Sequence, residues 1–167
     1  FDIPNHPSDP SAGSRKVMFG REIYIDEADF LEDPPRRFFR LSPGREVRLR
    51  YAYYVTCVGV DRDSNGDIST IHCTYDPDSR GGGTPDKRKV KGTLHGGSAE
   101  HALPAQARLY EPLFSSSSPL EDPNVQLTDQ LNATSRTVIQ NAQLESSLQQ
   151  ASVGTRVQLE RIGYFCV

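Results

Sequence analysis

Arginine side chains are concentrated between residues 36 and 50, in the stretch RRFFRLSPGREVRLR, where Glu46 is the one acidic residue. The six arginines are Arg36, Arg37, Arg40, Arg45, Arg48 and Arg50. Aromatic residues lie among and just after them, at Phe38, Phe39, Tyr51, Tyr53 and Tyr54. Guanidinium groups pair with phosphates and guanine edges, and aromatic rings stack on unpaired bases. The combination is typical of a surface that reads single-stranded RNA.

A solvated strand face is the competing interpretation of these arginines. Acidic residues such as those of DEADFLED (26–33) would then pair with them at the surface. The formal net charge of -3 does not decide between the two, because local charge steers a partner better than a net total does. A second basic group consists of Lys87, Arg88, Lys89 and Lys91.

The sequence supports a catalytic or metal-binding site less well than an RNA-binding surface. His95 and His101 in HGGSAEH have no cysteine or carboxylate beside them at a ligand-like spacing. The sequence contains no Walker A loop, no GxGxxG after a strand and no GxSxG elbow. RGGGTP is a weak phosphate cradle, because turn residues flank it. We therefore expect no catalytic residue, metal or cofactor in this chain.

The composition indicates a chain able to bury a core, with many loops. It has 167 residues, 12 prolines and 13 glycines, and its mean hydropathy is -0.58. No apolar run approaches the roughly 20 residues of a membrane span. Three cysteines without CxxC spacing fit a reducing cytosol. Because the sequence begins FDIPNHP without an initiator Met, we interpret it as a piece of a longer polypeptide.

The clearest structural signal is a β-hairpin that follows the arginines. EVRLRYAYYVTCVGVDRD (46–63) and DISTIHCTYD (67–76) have β-rich composition and are joined through Asn65–Gly66. This dipeptide predicts a type I′ turn. Equal steps outward from the turn place Cys57 near Thr74 and Tyr53 near Asp78. Alternation places Arg48 and Arg50 on one strand face.

The other segments also favour an all-β fold. We predict strands in REIYID, RKVKGTLH and GTRVQLERIGYFCV, with Arg161 on the same face of the last one as Val157 and Leu159. Asp26 is expected to cap a short helix, and SAEHALPAQARLYEPLF to contain another. SRTVIQNAQLE fits strand or helix, and Ser115–Asn124 is expected to be a linker. No βαβ rhythm is present, which favours β-barrels or sandwiches.

Several long motifs resemble the carboxy-terminal region of bacterial glutaminyl-tRNA synthetase. They include FDIPNHPSDPSAGSRKV, GREVRLRYAY, IHCTYDPDS, KVKGTLHGGSAEHALPAQARLYEPLF and VQLERIGYFCV, in order along nearly the whole chain. The resemblance implies an anticodon-binding domain of two tandem small β-barrels, closed or partly open, with short helices. We place them at 1–92 and 93–167, with strands exchanged between them.

The resemblance also implies roles for individual residues. Arg48 and Arg50 match arginines against the first anticodon base and a nearby phosphate. Arg40 and Arg161 match contacts to the third base, a guanine, and Gln158 and Glu160 match residues around the central uridine. The match is weaker at three further positions, where a related sequence has a different residue type: Arg37, Phe39 and Ser8.

The sequence thus predicts a non-catalytic anticodon-binding domain whose partner is the anticodon loop of tRNA(Gln). The resemblance implies an upstream class I catalytic domain that charges this tRNA with glutamine, using ATP and Mg. We expect a cytoplasmic monomer without a membrane partner. Two alternatives remain open: the β-barrel domain of a glutamyl-tRNA synthetase, and a structural or protein-docking barrel without an RNA role.

Overall fold

The computed structural model describes residues 1–119, 121 and 124–167 and is built mainly from short strands. Twelve strands occur in these residues: β1 Asp2–Pro4, β2 Ser14–Lys16, β3 Ile23–Ile25, β4 Glu46–Leu49, β5 Tyr54–Arg62, β6 Ile68–Asp76, β7 Thr93–Leu94, β8 Gly96–Ser98, β9 Leu103–Tyr110, β10 Arg136–Leu144, β11 Arg156–Leu159 and β12 Gly163–Cys166. The 3-10 helices are Pro10–Ala12, Glu27–Asp29, Pro77–Ser79, Leu127–Gln130 and Ser146–Gln150. The prediction of an all-β chain with short helices is confirmed.

The chain divides into two compact units. The first contains Phe1–Ala102 together with Glu145–Val167, and the second contains Leu103–Leu144. In the second unit β9 and β10 form an antiparallel ribbon with an irregularity between Ile139 and Ala142. In the described part of the chain, no helix has the length and apolar character needed to cross a membrane.

The first unit is organised around a four-stranded sheet with the order β6-β5-β4-β7. Along β4, Val47 and Leu49 are buried while Glu46 and Arg48 are half-buried, as alternation predicts. Val47 and Leu94 are fully buried in the core beneath this sheet. Three two-stranded sheets complete the unit: β1-β2, β3-β8 and β11-β12. The sheets are open in the described residues, so the closed form of the predicted barrels is not confirmed.

The hairpin at Asn65–Gly66 is confirmed, although its turn differs from the predicted type. Gly66 has a φ of 89°, and Asn65 is not among the residues with positive φ. Hydrogen bonds from Gly66 N to Asp63 O and from Asp63 N to Asp67 O indicate a type I turn followed by a left-handed glycine. The pairing of β5 with β6 is irregular at two points, between Asp61 and Arg62 and between Cys57 and Gly59. As a result Cys57 pairs with Cys73 rather than Thr74.

Several predicted elements end earlier or change type. The run 46–63 is two strands, because a turn interrupts it between β4 and β5. The closing segment is likewise a hairpin, β11-β12, rather than one strand. In RKVKGTLH only Thr93–Leu94 is a strand, and the helix predicted around Pro104 is wrong because β9 pairs with β10 there. The predicted linker Ser115–Asn124 includes residues 120, 122 and 123, which lie outside the described residues.

Candidate nucleic-acid interface

Two tight turns of the first unit carry three of the sequence-predicted site residues: Arg50, Glu160 and Arg161. In the turn between β4 and β5, Ala52 N donates to Leu49 O at 3.0 Å, with Arg50 second and Tyr51 third. In the turn between β11 and β12, Ile162 N donates to Leu159 O at 3.0 Å. Glu160 is second in that turn and Arg161 third. The two turns are therefore built alike.

The third residue of each turn has a left-handed backbone conformation. Tyr51 has a φ of 64° and Arg161 a φ of 70°, in a position that normally favours glycine. Such conformations are costly for residues with a Cβ and cluster at functional sites. The left-handed conformation also takes Arg161 out of the strand, so the prediction that it shares a face with Val157 and Leu159 is wrong. The same correction applies to Arg50, which follows β4 instead of continuing it.

An ion pair joins these two turns. Arg50 Nη2 lies 2.8 Å from Glu160 Oε1 and 3.1 Å from the Tyr51 hydroxyl oxygen, and its guanidinium stands 4.8 Å from the centre of the Tyr51 ring. Arg50 Nε is buried without a hydrogen-bond partner in the described residues. These groups, with His95, line a cavity of about 110 Å³. Burial lowers the pKa of His95, although the nearby Glu160 carboxylate opposes that shift.

A second site forms where one buried carboxylate meets two arginines. Asp29 is 1% exposed. Arg161 donates from Nη1 to Asp29 Oδ2 at 2.9 Å and from Nη2 to Oδ1 at 2.8 Å. Arg40 Nε lies 2.8 Å from Oδ1 of the same carboxylate. Burial alone would raise the pKa of Asp29, but hydrogen bonds and charge from Arg161, then Arg40, outweigh it and hold that pKa below its usual value.

The local backbone fixes this carboxylate. Asp26 caps the 3-10 helix Glu27–Asp29 through a hydrogen bond from Ala28 N to its side chain, as the sequence predicts. Asp29 N donates to Asp26 O at 2.9 Å, and Leu41 N donates to Asp29 O at 3.0 Å. The second bond holds the segment that carries Arg40 beside the helix. These backbone hydrogen bonds therefore fix the position of Arg40 relative to Asp29.

A cavity of about 470 Å³ opens beside Asp29. Four predicted site residues line it together with Asp29, Ala28 and Phe38: Arg37, Phe39, Arg40 and Arg161. Phe39 is 45% exposed, and Lys91 Nζ lies 5.5 Å from the centre of its ring. The cavity thus combines three guanidinium groups, one carboxylate and an accessible aromatic face. We call it the Asp29 cavity.

The remaining predicted site residues lie outside the Asp29 cavity. Arg48 donates to Thr93 Oγ1 at 3.2 Å from Nη2 and to Gly82 O at 3.3 Å from Nη1, so it contacts neutral acceptors. Gln158 is exposed on β11, opposite Tyr164. Ser8 is exposed, and its backbone N donates to His6 Nδ1 at 3.2 Å. Neither Gln158 nor Ser8 lines the two cavities described above.

Arg88, from the second basic group, has a different environment. It lies 2.8 Å from Glu46 Oε1, 2.5 Å from Asp76 Oδ2 and 2.9 Å from Asp86 Oδ2. Its guanidinium also stands 5.2 Å from the centre of the Tyr54 ring. Three carboxylates neutralise one cation here. The nearby Thr84 side chain and the hydrogen bonds that Arg88 donates lower the pKa of Asp86 to about 2.

Comparison with known proteins places both halves of the chain in one family. Residues 1–76 and residues 93–167 each match a family model described as tRNA synthetases class I (E and Q), anti-codon binding domain. The chain belongs to this family.

Curated relatives are similar over almost the whole chain. Identity is 51% to the glutamine–tRNA ligase of Bradyrhizobium diazoefficiens, over 96% of this chain and 28% of the relative. The enzyme of the same name from Clostridium perfringens is 45% identical over 100% of this chain and 30% of its own length. The glutamine–tRNA ligase of Serratia proteamaculans is 47% identical over 98% of this chain and 29% of its own length. The chain thus spans under a third of the length of these relatives.

For this anticodon-binding family member, the structure adds Asp29 and His95 to the residues predicted from the sequence. The stretch DEADF signals a short acidic helix, and nothing in it distinguishes the one acid that becomes buried. His95 Nδ1 lies 3.9 Å from Glu160 Oε2, and no local sequence pattern predicts this contact. Within the described residues no group of three or more His, Cys, Asp or Glu side chains could hold a metal ion.

Proposed function

We propose that this chain reads the anticodon loop of tRNA(Gln) as the anticodon-binding part of a glutamine–tRNA ligase. The observation that carries the proposal is the Asp29 cavity, where Arg40 and Arg161 share one buried carboxylate beside an accessible Phe39 ring. The family and the names of the relatives support it. The two parts of the reading surface, at 1–92 and 93–167, are proposed to act as one recognition module.

In this proposal the Asp29 cavity receives the third anticodon base, a guanine. Guanine presents O6 and N7 as two acceptors, which match the paired donors of a guanidinium fork. Arg40 and Arg161 would supply those donors, and Phe39 would stack on the base. Arg37, which also lines the cavity, would contact an adjacent phosphate.

The cavity of about 110 Å³ lined by Arg50, Tyr51, His95 and Glu160 would hold the first base. Its Tyr51 ring offers a stacking surface and its Arg50 guanidinium offers donors. Arg48, whose side-chain partners within the described residues are neutral acceptors, would contact a neighbouring phosphate. Gln158 and Glu160 would contact the central uridine, since an amide both donates to and accepts from its edge. Ser8 is proposed to contact the loop from outside the cavities.

The rest of the ligase is proposed to supply the chemistry. An upstream class I domain would use ATP and Mg to charge tRNA(Gln) with glutamine, and this chain would position the tRNA for it. We propose a cytoplasmic monomer in which the catalytic domain belongs to the same polypeptide. Since the family description includes both E and Q, tRNA(Glu) is the second candidate ligand.

A binding titration with anticodon stem-loops tests the proposal. The 167-residue chain is titrated with the tRNA(Gln) loop, the same loop with its third base changed from guanine to adenine, and a tRNA(Glu) loop. Each titration is repeated at two salt concentrations. Each phosphate neutralised should contribute about -0.7 to the slope of log K against log salt, and one bidentate guanine contact about 1–3 kcal/mol.

The outcomes separate the candidate functions. Preferential, salt-dependent binding to the tRNA(Gln) loop supports the proposal, and preference for the tRNA(Glu) loop supports the second candidate. Equal binding to all loops would mean phosphate attraction alone. Absence of binding, or binding whose affinity Arg50→Ala leaves unchanged, would favour a structural or docking role.

A further inference from the structure

Asp29 itself has no role in the residue set inferred from the sequence, yet it contacts both arginines of the proposed guanine site. We propose that Asp29 is a positioning residue that determines selectivity for guanine over adenine at the third base. This inference rests on the proposed function above. It assigns selectivity to a residue that would not itself need to touch the base.

The N–H donors of Arg40 and Arg161 are only partly used by Asp29 in the described residues. A guanidinium has five donors in a rigid fork. Among the described residues, Arg161 makes hydrogen bonds only to Asp29, through Nη1 and Nη2, which leaves its Nε edge free. Arg40 contacts Asp29 through Nε instead, and its Nη1 makes only a long bond of 3.4 Å to Phe39 O. The shared carboxylate therefore occupies different edges of the two forks, and each fork keeps a pair of donors for a base.

Asp29 also restricts the side-chain conformations of both arginines. Arg40 and Arg161 each have side chains 36% exposed, so without a partner each would sample many rotamers. Long side chains lose about 2 kcal/mol of rotamer freedom when they are fixed. Because Asp29 is 1% exposed and bonded through its backbone to Asp26 and Leu41, it orders both arginines before RNA arrives. Preorganisation of this kind strengthens specific binding.

Asp29 also lowers the positive charge of the site. Two guanidinium groups and one carboxylate give this group a formal charge of +1 instead of +2. The lower charge weakens attraction to any phosphate, whereas the directed donors still favour guanine O6 and N7. Removal of the carboxylate charge should therefore strengthen the attraction to phosphate and weaken the specific binding of guanine. A variant that had merely lost its fold would weaken both.

The experiment compares Asp29→Asn with the unsubstituted chain, using the guanine and adenine stem-loops at low salt. Asparagine keeps the size of the side chain and removes its charge. We expect the guanine loop to bind about tenfold more weakly, while the adenine loop binds equally well or more tightly. Glu46→Gln is the matched control, because it also removes a carboxylate from an arginine but does not line the cavity. It should leave the guanine-to-adenine ratio unchanged.

A second measurement needs no substitution. The Nε–H of Arg40 is followed by NMR exchange with solvent, in the free chain and with the guanine loop bound. If Asp29 positions Arg40 in the complex, that hydrogen remains protected in both states. Loss of its protection on binding would mean that the pair breaks, and would overturn the inference even if Asp29→Asn did not fold.

The inference fails separately from the proposed function. If the unsubstituted chain distinguishes guanine from adenine and a folded Asp29→Asn variant distinguishes them equally well, Asp29 has no positioning role. If the unsubstituted chain does not distinguish them, the proposed function is itself wrong. Thermal unfolding of each variant establishes which are folded.

Discussion

The Asp29 cavity and the Arg88 cluster are two arginine sites of the same unit with opposite balances of charge. At Asp29 one carboxylate is shared by two guanidinium groups. At Arg88 one guanidinium is shared by three carboxylates, from Glu46, Asp76 and Asp86. Donors are in excess at the first site and acceptors at the second.

This difference separates an arginine that can bind from one that stabilises. Arg88 has carboxylates on its Nε, Nη1 and Nη2 groups, so an incoming phosphate would have to displace internal partners. Within the described residues, Arg40 and Arg161 keep N–H donors that have no internal partner. Arg48 is intermediate, since its partners are a hydroxyl and a carbonyl that do not cancel its charge. Under the proposed function, the ratio of carboxylates to guanidinium groups distinguishes the RNA-binding arginines better than the number of basic residues does.

Arg161→Ala should have the largest effect on RNA binding. It removes a donor-rich guanidinium, and we expect cognate binding to weaken by about 1–3 kcal/mol, or roughly 5- to 150-fold. The loss should be much smaller with an adenine at the third position. Stem-loop titration measures it. Arg156→Ala, an exposed arginine of the adjacent strand, is the control and should keep the same guanine preference.

Arg88→Ala should have the opposite profile. Removal of this cation leaves three carboxylates facing one another without their partner, so we expect a lower Tm with unchanged affinity for the stem-loop. Thermal unfolding and the same titration measure the two properties. Weaker RNA binding in a folded variant would instead show that Arg88 contributes to RNA binding.

Arg48→Ala tests the intermediate case. If Arg48 neutralises one phosphate, the slope of log K against log salt should become less negative by about 0.7. Guanine and adenine loops should be weakened by the same factor. A change in the preference for the guanine loop over the adenine loop would instead make Arg48 a base-reading residue.

Acid should weaken the Asp29 site through protonation of its carboxylate. The pKa of Asp29 lies below the usual 3.8 in the folded chain, so its stabilising effect is complete above that value and is lost as pH falls through the folded pKa. We expect on the order of 1–2 kcal/mol from these hydrogen bonds. Unfolding measured at pH 6 and pH 3 should show a smaller acid-induced loss in Asp29→Asn than in the unsubstituted chain. An equal loss would assign the acid sensitivity to other carboxylates.

The sequence predicted the elements that rest on local chemistry. Asn65–Gly66 marked the hairpin, and Asp26 marked the start of a 3-10 helix. The proposed binding arginines were named from resemblance, and four of the nine predicted site residues line one cavity: Arg37, Phe39, Arg40 and Arg161. Their roles towards RNA remain predictions.

The turns that carry Arg50 and Arg161 could not be predicted in the same way. Their left-handed residues are Tyr51 and Arg161, so no glycine marks the third position, and the alternating pattern runs on through both turns. The role of Asp29 was hidden for a different reason. It depends on a contact between residues 132 positions apart, and a local pattern cannot show which acid will be buried.

The first unit is made from two separated stretches of chain, 1–102 and 145–167, and this has a consequence for synthesis on the ribosome. Asp29 and Arg161 are 132 residues apart, so at about 5–20 residues per second Arg161 is added roughly 7–26 s after Asp29. Residues 103–144 are completed in between and can pair as a ribbon before the first unit is whole. Residues 145–167, the later stretch of the first unit, supply the second guanidinium, and a nascent chain stalled before them would contain Arg40 and Asp29 without Arg161.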